Sequence, residues 1–207
     1  MIRIHYISGL TITVFIGLHL LNHFCSIFGE ETYIAIMDTL RLFYRNIFVE
    51  TILLAAVLVQ IVSGISLFKT NRKKAASGFE KLHIWSGLYL AFFLVIHVGA
   101  VFSTRIFLHL DTNFYFGLAG LNTFPFYFFF VPYYALAILS FFGHIASVHN
   151  KKMKNNVLRL TPKQQAKSIL LFGLVLTLII FYGLTNRFKG VTFPNEYKIV
   201  IEKIKKL

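Results

Sequence analysis

The 207-residue chain is 57% hydrophobic and only 14% charged, with a mean hydropathy of +0.68, whereas ordinary globular domains are about 45–50% apolar. Its charges gather in short runs between long apolar blocks, which excludes a water-soluble domain and indicates a single-domain, all-α integral membrane protein. The net charge of +13 lies in segments flanking those blocks, as topology-setting residues do, and not in a nucleic-acid-binding patch. The one cysteine, Cys25, excludes an internal disulfide and an iron–sulfur cluster held by this chain alone.

Five transmembrane helices are predicted, at about 7–28, 48–68, 82–103, 126–148 and 168–184, each near the roughly 17–25 residues that a span requires. Arg3 precedes the first. That block has no small-residue cleavage motif and is too long for a signal-peptide core, so a retained span is expected. It carries His19 and His23, one turn apart on one face. Lys69 closes the second span. Lys81 and Arg105 bracket the third, which carries His83 and His97. The fourth carries His144, and Lys151 and Lys167 separate it from the fifth. The basic tail, 186–207, contains EYKIVIEKIKKL, which reads as a short amphipathic helix lying on the outer leaflet.

The connections set the expected orientation. Lys69, Arg72, Lys73, Lys74 and Lys81 lie between spans two and three. Lys151, Lys152, Lys154, Arg159, Lys163 and Lys167 lie between four and five, with no acid. In the other two connections Arg41, Arg45 and Arg105 are offset by Glu30, Glu31, Asp38, Glu50 and Asp111. The positive-inside rule places the N-terminus in the cytoplasm, with the basic tail as the one dissenting feature.

Of eight histidines, His5, His109 and His149 fall at span ends or in loops, and His19, His23, His83, His97 and His144 fall within apolar spans. Ionisable groups there are costly and mark function. His83 and His97 are fourteen positions apart, which returns to nearly one helix face and spans roughly 21 Å. One imidazole in each half of a bilayer suits two stacked haems. Depth pairs His19 with His97 in the outer half, with His23 as the alternative first-helix ligand, and His83 with His144 in the inner half. Two imidazoles close the iron's coordination and favour electron transfer over oxygen chemistry. Gly17, Gly64, Ser86, Gly87 and Gly143 offer room for a flat macrocycle or for close helix packing.

Several segments now resemble one family. Arg3-Ile4-His5-Tyr6-Ile7-Ser8-Gly9 is similar to an Arg-Leu-His start with glycine four residues after the histidine. Phe15 to His19, with Asn22-His23-Phe24, resembles a first-helix ligand region. Gly87 precedes His97 by ten residues, and His144 precedes Thr161-Pro162-Lys163-Gln164-Gln165 by seventeen. These features resemble the cytochrome b membrane-anchor subunits of succinate:quinone oxidoreductases and fumarate reductases, in the class with five helices and two b haems. The resemblance implies an outer haem on His19 and His97, and His144 as one inner ligand. The family's other inner ligand lies four residues before a second-helix glycine. Here that position, before Gly64, is Gln60, a poor haem ligand. Either His83 takes over, or the inner haem is missing or differently ligated.

The resemblance further implies a flavoprotein subunit carrying FAD, an iron–sulfur subunit docked on the basic cytoplasmic loops, a membrane quinone of the menaquinone type, and a multi-pass location in the cytoplasmic (inner) membrane. Candidate groups near the quinone are Glu31 and Glu50 on the outer side and Arg3 and His5 on the inner. The rival readings are a cytochrome b subunit of another quinone-linked dehydrogenase or hydrogenase, and a haem-free transport or assembly protein that uses its histidines as protonatable groups.

Overall fold

The computed structural model describes residues 1–205; Lys206 and Leu207 of the tail lie outside the described residues. The chain is 79% helical, with no strand among the described residues. Its elements are α1 (Ile2–Phe24), which continues into a 3-10 turn (Cys25–Phe28), α2 (Glu30–Tyr44), α3 (Ile47–Asn71), α4 (Gly78–Phe107), α5 (Phe114–Leu118), α6 (Tyr127–Lys152), α7 (Pro162–Leu184) and α8 (Asn195–Lys205). Five helices are long and apolar enough to cross a membrane: α1 with its 3-10 extension, α3, α4, α6 and α7. The protein is an all-α, multi-pass membrane bundle.

The spans run past the limits that hydropathy suggests because their ends are fixed by polar caps. The Ser77 hydroxyl accepts from the Glu80 N–H, and the Glu80 carboxylate accepts from the Ser77 N–H, which starts α4 ahead of its apolar run. Thr161 and Gln164 form the same reciprocal cap on α7, with Pro162 at its first turn. Asn46 caps α3 through Phe48 N–H. At Gly29 the backbone takes φ 104°, a left-handed value open to glycine, and this separates α1 from α2.

Packing closes the five spans into a ring: α1 on α3, α3 on α4, α4 on α6, α6 on α7, and α7 back on α1. Close approaches use small residues. A Cβ on Gly173 would meet the Phe142 side chain, and one on Gly183 would lie 2.8 Å from the Ile27 nitrogen. Outward faces carry exposed Val14, Leu58, Val62, Phe92, Leu171 and Leu178, a lipid-facing pattern for helices whose backbone groups are satisfied internally.

At the end of the ring opposite the N-terminus, α2, α5 and α8 form a cap. Tyr33 and Met37 of α2 pack with Phe114 and Leu118 of α5 against Leu184 of α7. The Arg41 guanidinium donates to Asp111 at 2.8 Å and to the Thr112 carbonyl, and Arg45 donates to the other Asp111 oxygen at 3.1 Å. Burial works against the Asp111 carboxylate, but the hydrogen bonds and charges of Arg41 and Arg45 outweigh it and hold its carboxyl below the ordinary value. The expected tail helix forms as α8, docked through buried Tyr197, whose hydroxyl donates to the Asp111 carbonyl.

Candidate functional site

The ring encloses one cavity of about 1420 Å³ that runs from Ile2 and Lys152 at the N-terminal end to Arg45 and Arg105 at the other. Pockets for single small ligands run to about 300–1,000 Å³. Seven of its lining residues are histidines, and all but His149 fall into two groups at two levels.

The group nearer the cap joins His19 and His23 of α1 to His97 of α4. The rings of His19 and His97 have centroids 6.2 Å apart at an interplanar angle of 65°. Each is backed by a phenylalanine one turn earlier on its own helix: Phe15 stacks on His19 at 5.8 Å and Phe93 on His97 at 4.9 Å. These i, i+4 pairs fix the ring planes. His23 stands beside them, with Nε2 3.1 Å from His19 Nε2 and Nδ1 3.1 Å from the Tyr33 hydroxyl. Burial pushes the Tyr33 phenol up, so it stays protonated and able to donate.

The group at the N-terminal end joins His5 of α1, His83 of α4 and His144 of α6. The His144 ring lies 4.3 Å from His83 and 6.5 Å from His5. His144 Nδ1 donates to the His83 carbonyl at 3.2 Å. His5 Nδ1 lies 2.8 Å from Ser63 Oγ. Gln60 is not aimed at a ligand: its amide donates to the His5 carbonyl and, at 3.1 Å, to Ser8 Oγ, tying α3 to the first turns of α1.

Geometry sorts these pairs. A metal held between two opposed imidazoles, with metal–nitrogen bonds of about 2.0 Å, sets the ring centroids about 6.3 Å apart. His19–His97 and His5–His144 meet that spacing. His83–His144, paired by depth in the sequence, has its ring centroids closer, at 4.3 Å. Among the described residues no group of three or more His, Cys, Asp or Glu side chains is arranged to hold a bare metal ion.

The glycines divide likewise. A Cβ on Gly87 would lie 3.2 Å from His144 Cε1, so this glycine gives the His144 ring its room, whereas one on Gly64 would make ordinary contact with His5 Cε1 at 3.7 Å. A Cβ on Gly17 would meet nothing within 4 Å, whereas Gly143 admits Leu82 and serves helix packing. Ser86 Oγ donates to the His83 carbonyl.

Of the other residues singled out in the sequence, Glu50 lines the cavity and pairs with Arg105 at 2.5 Å. Arg3 and Glu31 are exposed at opposite ends of the bundle. His109 lies in an exposed loop, and His149 Nε2 donates to Gln165 Oε1 at 2.8 Å, which joins α6 to α7. The sequence reading missed the parts played by Phe15, Phe93, Ser63 and Tyr33. The two phenylalanines were legible, each lying four positions before its histidine; Ser63 and Tyr33 come from other helices and left no local signal.

Fold and cavity define a five-span membrane bundle with imidazoles clustered at two levels of its interior. No family model, no curated protein and no solved structure matches the chain.

Proposed function

We propose that this chain is the cytochrome b membrane-anchor subunit of a succinate:quinone oxidoreductase or fumarate reductase. In that role it passes electrons between an iron–sulfur subunit and a membrane quinone. The observation that carries this reading is the His19–His97 pair, 6.2 Å between ring centroids, inside a bundle cavity walled by apolar side chains. A b haem bound there would supply one-electron transfer, and His19 and His97 are the residues that would hold it.

The chain's own residues do the rest. His19 and His97 would hold the group from opposite sides, with His23 beside them as the alternative ligand on α1. Phe15 and Phe93 keep the two rings in plane. Lys151 and Lys152 line the near mouth of the cavity, so carboxylate substituents of a macrocycle would find cationic partners there. The apolar walls exclude water and lower the local dielectric, which tunes potential. Glu50, hydrogen-bonded to Arg105 at the far mouth, is placed to pass a proton to a quinone bound there. His5, Arg3 and Glu31 are the weaker candidates.

The basic loops 69–81 and 151–167 sit at the N-terminal end. They support a cytoplasmic N-terminus in the cell membrane and a docking face there for the iron–sulfur subunit and its FAD-bearing partner. A quinone of the menaquinone type fits the five-helix, two-haem class.

A pyridine haemochrome assay on the detergent-purified chain tests the reading. One or two b haems per chain are expected, and none would end it. Co-purification of a flavoprotein and an iron–sulfur subunit is expected, and would separate this role from that of a cytochrome b serving a hydrogenase or another dehydrogenase.

A further inference from the structure

The group at the N-terminal end of the cavity carries a sharper reading, which rests on the cytochrome b proposal. We infer that the second haem is held between His5 of α1 and His144 of α6, and that His83 is a positioning residue and not a ligand.

Three observations carry this. The first is spacing: His5 and His144 have ring centroids 6.5 Å apart, close to the separation that opposed imidazoles need across a metal, whereas His83 and His144 are at 4.3 Å.

The second is which nitrogen is free. The Ser63 hydroxyl donates its one hydrogen to the Val59 carbonyl. Its oxygen therefore accepts from His5, and Nδ1 is the protonated nitrogen. His144 Nδ1 faces the His83 carbonyl, which only accepts, so it too is protonated. Both residues thus keep an unprotonated Nε2, with Nδ1–H anchored on a fixed acceptor. This is the outer-shell pattern that orients ligating histidines. His83 supplies one of those anchors through its backbone.

The third is helix register. His5 and His19 are fourteen positions apart on α1, as His83 and His97 are on α4. Fourteen residues keep one face and rise roughly 21 Å, so α1 alone presents an imidazole at each level. Gln60, on α3, then secures the His5 turn through its carbonyl and Ser8. The ligand comes from the first helix, and the third braces it.

The test is haem content and spin state of the full-length chain, alone and as His5→Gly, His83→Ala and His97→Ala variants. Pyridine haemochrome assay and electron paramagnetic resonance supply the readouts. The expected result is two low-spin haems in the unaltered chain. His5→Gly then loses one haem or turns one high-spin, and added imidazole restores the low-spin signal. His83→Ala keeps two low-spin haems. The haem between His19 and His97 reports that His5→Gly and His83→Ala are folded. Two low-spin haems retained in His5→Gly would overturn the inference and leave the cytochrome b reading intact. So would a single haem in the unaltered chain that His97→Ala removes, or loss of both haems in His5→Gly without imidazole rescue. A chain with no haem would overturn both.

Discussion

Glu50 of α3 and Arg105 of α4 form an ion pair at 2.5 Å, both side chains largely withdrawn from solvent, where the two helices meet at the far mouth of the cavity. The pair joins the start of one span to the end of the next, and so sets how α3 and α4 align along their length.

Removing either partner leaves a half-buried group unmatched. Glu50→Gln or Arg105→Gln is expected to destabilise the bundle by about 1–3 kcal/mol. The double variant should cost less than the sum of the two. A double-mutant cycle on thermal unfolding in detergent measures this, and strict additivity would show that the pair does not couple α3 to α4.

Gly183 admits no side chain without movement of backbone. A Cβ there would lie 2.8 Å from the Ile27 nitrogen and 2.9 Å from the Ser26 carbonyl carbon. Gly183→Ala should force α7 off the 3-10 turn and cost about 1–3 kcal/mol, read as a lower melting temperature. Gly17→Ala, which meets open space, is the control and should change little.

Asp111 gives the cap a pH dependence. Its carboxyl is held below the ordinary value in the folded chain, so its contribution is complete above the unfolded value of about 3.9. That contribution is lost as pH falls through the lowered folded value. Because the side chain is 43% exposed, the effect is about 1 kcal/mol or less. Protease susceptibility of the α8 tail, followed from neutral pH downward, should rise in the acid range, and Asp111→Asn should show the raised susceptibility already at neutral pH.

His97→Ala tests the His19–His97 pair directly. One b haem per chain should be lost while helicity by circular dichroism is kept. Retention of the full haem content would remove His97 from the ligand set.

The five spans were legible because apolar runs of this length serve no other purpose in such a chain. Their ends were not, since hydropathy sees the apolar run and not the cap: Ser77 and Glu80 extend α4 four residues before the predicted start. α2 escaped notice because its charged residues read as loop, although Tyr33 and Met37 make one buried stripe. Of the histidines, the His19–His97 association followed from depth alone. His144 has both His5 and His83 within reach. Depth cannot choose between them, because they share a level, and the hydrogen bonds that His5 and His144 make to Ser63 and to a backbone carbonyl come from other helices and left no local signal. The fourteen-residue interval in α1 was on view, but His5 lies close to the start of the chain and read as interfacial.

The pairing of arginines in the cap also shapes the electric field along the bundle. Arg41, Arg45 and Arg105 each rest on a carboxylate, so their charge is cancelled within a few ångströms. The lysines of the 69–81 and 151–167 connections far outnumber the acids there, with Glu80 alone among them. Those unpaired lysines make the N-terminal pole a surface that draws anionic headgroups.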